Sequence, residues 1–230
     1  MLFFESKWCS SNSSRSGIME FEMPCYYRLN ILRPTKNLFT NLHLFMVPIQ
    51  EDKTRIFIKF ELNRDNRVGY KIFKHSPIWL KHVFINIFLD SDTLILYKQE
   101  RHIKTVYDSY HNSSAYITPT KSDKAVLLYR KWASKYLQTI PFFNHRSESK
   151  ELTRNEVLDR YNQHTKYCVH CKRILKLCQV FQKVGTFMWG KLFSHTKNPL
   201  FLAGAFVNYI LFGKAQDLFK FQDYVHNNIK

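Results

Sequence analysis

The stretch from Pro77 to Glu100, PIWLKHVFINIFLDSDTLILYKQE, constrains the fold more than any other part of the chain. Ile85, Leu89, Leu96 and Gln99 follow one another at spacings of four, seven and three residues, which sets them along one face of a helix. Asp92 falls on that face, between Leu89 and Leu96, whereas Asp90 falls off it. A carboxylate on an apolar stripe is costly unless a cation, a donor or a metal pairs with it. Two roles stay open for Asp92. If the helix breaks at Leu89, Asp90 caps a second helix and Asp92 is a first-turn carboxylate facing the helix dipole. If the helix runs on, Asp92 is a candidate metal ligand.

A chain of 230 residues can hold one sizeable core and a tail, not several large domains. Lys and Arg number 35 against 18 Asp and Glu, a formal charge of +17. The basic residues are dispersed, with no compact Lys/Arg run and no nucleic-acid motif, so nucleic acid is not the expected partner. The charge reads as a solvated, membrane-facing surface. Five cysteines, an odd number, in a chain without a secretory signal argue against a disulfide framework. MLFFESKW is too short, and acidic too early, for a signal-peptide core, and no transit-peptide pattern precedes the first strand-like stretch. GxSxG, GxxxxGK[ST], GxGxxG and HExxH are all absent, and six glycines leave little room for a phosphate-cradling loop.

Taken in order, residues 1–17 are Ser-rich and read as a disordered lead-in. Residues 18–150 form the main portion. IMEFEM, YYRLNIL, NLHLFMVPI and RIFIKFEL carry strand patterns separated by turn-like segments, so at least three strands of an antiparallel sheet are expected. RDNRVGYKIFKHS is a basic link into the Asp92 helix, whose pattern continues to about Tyr107. TKSDKAVLLYRKWASKYL reads as an amphipathic helix capped by Thr120, with Val126, Tyr129, Trp132 and Ala133 along one side. Residues 151–178 read as a further helix with a capping box, Thr153 and Glu156. Residues 179–230 read as a helical hairpin. Its second run, PLFLAGAFVNYILFG, has 15 residues without a charge, short of the about 20 that an unaided membrane span needs. A sheet followed by long helices is the α+β order.

The pattern PxWxxHxxxNxxLDSDxxxLxxQE over 77–100 resembles the catalytic-domain helix of the pheophorbide a oxygenase family of Rieske-type monooxygenases. AYITPTKSDKAVLLYRKW (115–132) and DRYNQHTKYCVHC (159–171) resemble the same family, in the same order, as do FEMPCYYRL (21–29) and FKFQDYVH (219–226). The resemblance covers most of the chain. It implies a helix-grip, START-like catalytic domain, a tetrapyrrole substrate, ferredoxin and thioredoxin as partners, and a chloroplast envelope or thylakoid location. It also implies a membrane-anchoring hairpin after the CxxC.

For the site residues the resemblance implies that Asp92, the second Asp of LDSD, is the carboxylate ligand of a mononuclear non-haem iron. Such an iron takes two imidazoles and one carboxylate. The family's two histidines come from a segment upstream of the FEMPC region that this chain does not contain. His43, His75 and His82 match no such motif and are expected to be surface or core histidines. The family's [2Fe–2S] Rieske cluster needs a CxH element together with a CxxH element, and no CxxH occurs in this chain.

Cys168 and Cys171 form CVHC, with Lys166, Lys172 and Arg173 beside them to favour a thiolate. Their own chemistry leaves three roles open: a redox pair, inert thiols, or part of a zinc site with His164, His170 or Cys178. No second CxxC or HxxxH accompanies them. The resemblance implies a thioredoxin-responsive disulfide at Cys168 and Cys171. Cys9, Cys25 and Cys178 read as ordinary thiols.

The expectation from sequence is therefore a C-terminal catalytic-domain portion of a pheophorbide a oxygenase-like enzyme, lacking the Rieske domain and two iron ligands and inactive alone. The alternatives are a non-catalytic, membrane-associated relic or redox/ligand-binding module, and a homologue of the Rieske component of the chloroplast import translocon.

Overall fold

A computed structural model of the chain describes residues 3–9, 16–33, 38–50, 53–62, 68–107, 117, 123–136, 151–221 and 223. They fall into two units: residues 1–74 with 100–150, and residues 75–99 with 151–230.

The first unit is built on a five-stranded antiparallel sheet in the order β1-β2-β3-β4-β5, a plain meander. Its strands are β1 (Phe3–Cys9), β2 (Ser16–Glu22), β3 (Tyr26–Arg33), β4 (Leu38–Gln50) and β5 (Lys53–Leu62). The four strands read from alternation are all present. The fifth, β1, lies in the stretch expected to be a disordered lead-in. FFESKWC mixes aromatic strand formers with Glu and Lys, and it pairs from Phe3 opposite Glu22 to Cys9 opposite Ser16, satisfying the backbone groups along β2. At the other edge, Lys53, Arg55 and Lys59 distribute charge along β5, a usual protection of a free strand.

The segment read as a basic link instead forms α1 (Val68–His75), which stops at Ser76 because the residue before a proline disfavours the helical region. Pro77 then lends its carbonyl to the first turn of α2 (Ile78–Tyr107). α2 runs for 30 residues without a break, which removes the reading of Asp90 as a mid-stretch cap. α3 (Lys124–Tyr136) packs on the sheet. Ala133 is fully buried, and Tyr129 meets Phe21 edge to face at 4.9 Å. Val126, expected on the packed side of α3, is exposed. Thr120, the expected cap, lies outside the described residues.

The second unit joins residues 75–99, which include α2 as far as Gln99, to α4 (Arg154–Val157), a π-helical turn (Tyr161–Thr165), α5 (Val169–Thr196) and α6 (Pro199–Lys220). Its core is Val83, Cys171, Leu175 and Phe219, with Trp79, Ile87, Cys168, Ile174 and Leu218 packed around it. α5 and α6 form the expected hairpin. Lys197 adopts the left-handed conformation (φ 57°), Asn198 accepts from the Leu200 N–H at 3.0 Å, and Pro199 opens α6. Glycine at 204 lets the helices close, because a Cβ there would stand 3.0 Å from the Trp189 ring. No helix of the described residues is long and apolar enough to cross a membrane.

Candidate functional site

The buried face of α2 is not the one that spacing selected. Trp79, Val83 and Ile87 face the core, and the next position along that stripe is Asp90. Leu96 is 59% exposed, and Asp92 faces solvent, where the Ser91 hydroxyl donates to it at 3.4 Å. Asp90 has the costly position, and Arg160 satisfies it. The Arg160 Nε donates to Asp90 Oδ2 at 2.8 Å, Nη2 donates to the same oxygen, and Nη1 donates to the Leu218 carbonyl at 2.9 Å. Arg160 is only 2% exposed, so its charge depends on that carboxylate. Burial pushes the Asp90 carboxyl above its ordinary range, against the pull of the Arg160 guanidinium.

The helix expected to run from Thr153 through Cys178 is broken. The capping box forms, with the Glu156 N–H donating to Thr153 Oγ1 at 3.4 Å and the Thr153 N–H donating to Glu156 Oε2 at 2.7 Å. α4 nevertheless ends after one turn. Asp159 bridges to Phe221, and its side chain takes the Asn162 N–H at 3.1 Å. A π-helical turn follows, closed by the Lys166 N–H on the Tyr161 carbonyl at 2.9 Å. The buried Thr165 hydroxyl then donates to the Phe219 carbonyl at 2.7 Å. Cys168 is extended at the N-cap of α5, and Cys171 lies in its first turn.

This break turns His164 back toward the two cysteines, and α2 brings His82 to meet them. Cys168 Sγ lies 3.3 Å from His82 Nδ1, and Cys171 Sγ lies 3.6 Å from that nitrogen and 3.4 Å from His164 Nε2. The imidazoles meet edge to face, 5.0 Å between centroids. One donor atom from each of the four residues fits within 4.8 Å of every other. Among the described residues this is the one group of three or more His, Cys, Asp and Glu close enough to share an ion. Burial, together with His82 and Arg160, holds the His164 imidazole down at about 4, so it is neutral. Burial and then His170 lower His82. Burial and the neighbouring Cys168 push the Cys171 thiol up to about 12. The basic neighbours that favoured a thiolate in the sequence are outweighed at Cys171, which is 1% exposed.

The structure thus brings Cys168 and Cys171 together as free thiols and adds His82 and His164. His170, although it makes a Cys-x-His run with Cys168, is exposed and stays out of the group, and so does Cys178. His82 is the residue that sequence reasoning missed. Its signal was present: it stands in the first quoted block, and His164 stands four residues before Cys168 in the third.

Neither iron group of the family can be completed from the described residues. A Rieske centre puts two cysteines on one iron and two histidines on the other, keeping the pairs apart by the width of the cluster. Here sulfurs and nitrogens interleave at 3.3 to 3.6 Å. A mononuclear iron would need two imidazoles near Asp92, and Asp92 belongs to no such group among the described residues.

Residues 21–109 match the family model described as pheophorbide a oxygenase. Pheophorbide a oxygenase of Oryza sativa subsp. japonica is 31% identical over 201 residues, 77% of this chain and 37% of that protein. Flavonoid 8-hydroxylase 2 of Ocimum basilicum is 30% identical over 137 residues, 56% of this chain and 25% of that protein. Protochlorophyllide-dependent translocon component 52 of Arabidopsis thaliana is 28% identical over 148 residues, 63% of this chain and 26% of that protein. All three are chloroplastic proteins. No solved structure matches. The chain is an α+β protein similar to chloroplast oxygenases. It belongs to the pheophorbide a oxygenase family, and it spans 25–37% of the length of these relatives.

Proposed function

We propose that the chain is the catalytic-domain portion of a Rieske-type oxygenase that inserts oxygen into a tetrapyrrole in the chloroplast, with electrons from a ferredoxin-class donor. The observation that carries this reading is the likeness to rice pheophorbide a oxygenase along 77% of the chain. The sheet is read as the helix-grip portion of that domain. Asp92 is the one residue of this chain assigned to the iron, and its exposed position suits a ligand whose partners come from outside these residues.

The hairpin is proposed to lie against a membrane rather than to span it. Phe187, Met188, Leu200, Phe206, Val207 and Leu211 are all exposed on α5 and α6, and Lys183, Lys191, Lys197 and Lys214 flank them to meet anionic headgroups.

Two measurements test the function. An immunoblot with antibody to residues 159–171 reads the size of the native product. A band well above 27.7 kDa supports a Rieske half on the same polypeptide, and a band at 27.7 kDa requires a separate partner to carry the cluster. Quenching of tryptophan fluorescence by pheophorbide a, with a flavone as competitor, then reads the substrate. Saturable quenching by the tetrapyrrole supports the proposal, and binding of the flavone alone overturns it in favour of a flavonoid oxygenase.

A further inference from the structure

We propose that His82, His164, Cys168 and Cys171 bind one zinc ion in tetrahedral geometry, as a structural clamp that holds α2 against the start of α5. This does not depend on the oxygenase reading.

The spacing of the donor atoms is the first argument. Zinc bonds of about 2.3 Å to sulfur and about 2.0–2.1 Å to nitrogen give a sulfur–nitrogen edge of about 3.6 Å in a tetrahedron. Three of the four sulfur–nitrogen separations are 3.3, 3.4 and 3.6 Å, and every pair of the four donor atoms lies within 4.8 Å. The donor set is the second. Two thiols and two imidazoles are a borderline-soft set that suits zinc and does not suit magnesium or calcium, which take oxygen ligands. No carboxylate takes part in the group. Four protein ligands leave no open position, as in structural rather than catalytic zinc sites.

Charge is the third argument. Binding releases the two thiol protons to solvent, and the two thiolates then balance the divalent ion, leaving the half-buried site neutral. Both sulfurs lie at the N-terminus of α5, where the helix dipole favours negative charge. The buried cation beside the site, Arg160, already has its own carboxylate in Asp90, so neither sulfur is needed to neutralise it. The last argument is topological. The ligands come from α2, the π-helical turn and the first turn of α5, so one ion would close a loop of more than eighty residues between His82 and Cys168. A disulfide between Cys168 and Cys171 would occupy both sulfurs, so disulfide and ion exclude one another.

The test uses the full 230-residue chain purified under reducing conditions. Elemental analysis is expected to find about one zinc per chain, and X-ray absorption to fit two sulfur and two nitrogen neighbours at zinc distances. Cobalt exchanged into the site should show intense tetrahedral ligand-field bands and a sulfur-to-cobalt charge-transfer band. His82→Asn and Cys171→Ser should each lower zinc affinity by at least about 100-fold, because loss of a ligand exceeds the 10–100-fold effect typical of an outer-shell change. His170→Asn and Cys178→Ser should keep the metal. The absorption and cobalt spectra of the unaltered chain decide the matter even if a variant fails to fold. A chain that stays metal-free when zinc is added overturns the proposal. So does a Cys168–Cys171 disulfide, seen as two thiols that resist alkylation until reduced, or zinc retained by both ligand variants.

Discussion

The two ends of the α5–α6 hairpin are held in opposite ways. At the end near Cys171 and Phe219, polar groups from distant segments meet: Asp90 with Arg160, Thr165 with the Phe219 carbonyl, and two histidines with two cysteines. At the end near Trp189 and Leu200 the helices contact each other, while Leu200 is 73% and Phe206 66% exposed. Between them, Gln182 donates to the Tyr209 carbonyl at 2.8 Å and takes a hydrogen bond from Gln216 at 2.7 Å. The contrast shows that apolar surface supplies attraction without an address. Directional polar bonds fix the first end in place, and the other end leaves its apolar side chains exposed among the described residues.

The largest test of that contrast is Asp90→Ala. It leaves a buried guanidinium without its carboxylate and should cost about 3–5 kcal/mol in denaturant unfolding. The double replacement Asp90→Leu with Arg160→Met should recover most of that loss. If single and double variants unfold alike, the pair does not hold this end. Next comes Thr165→Val, which leaves the Phe219 carbonyl without its donor and should cost about 1–3 kcal/mol, with faster amide exchange in the last turn of α6.

A glycine pair then compares positions along α5. Gly190→Ala meets nothing within 4 Å and should add up to about 1 kcal/mol through helix propensity. Gly185→Ala meets the Asn208 amide at 2.6 Å, displaces it from Thr186, and should lower the melting temperature instead. The smallest effect on stability belongs to Phe187→Gln and Phe206→Gln, within about 0.5 kcal/mol of the parent chain. These two should nevertheless lower co-flotation with anionic lipid vesicles severalfold. Unchanged flotation would remove the membrane role of this end.

Local chemistry was readable from the sequence and long-range choice was not. Alternation gave β2 to β5, because each strand records its own two faces. Thr153 and Glu156 announced their capping box three residues apart, and it formed. The continuation of that helix was misread, because the Asp159–Phe221 bridge that interrupts it joins segments 62 residues apart (221 less 159). α2 was assigned the wrong face for a similar reason. Trp79, Leu80, Val83, Phe84, Ile85, Ile87, Phe88 and Leu89 put apolar groups on nearly every side, so periodicity had no face to choose. Arg160, 70 residues further on, chooses Asp90 over Asp92. The same distance concealed His82: its partners Cys168 and Cys171 lie 86 and 89 residues away.

The turn between α5 and α6 has two residues, Lys197 and Asn198, and so little slack that the rotational phase of one helix is inherited from the other. One residue inserted there would rotate α6 by about 100° about its own axis. Gly204 would leave the Trp189 ring, and a bulkier side chain would be driven against it. The length of that connection therefore works as a gauge that sets which flank of α6 points outward. Relatives that lengthen it by a residue would present a different surface from an almost unchanged sequence.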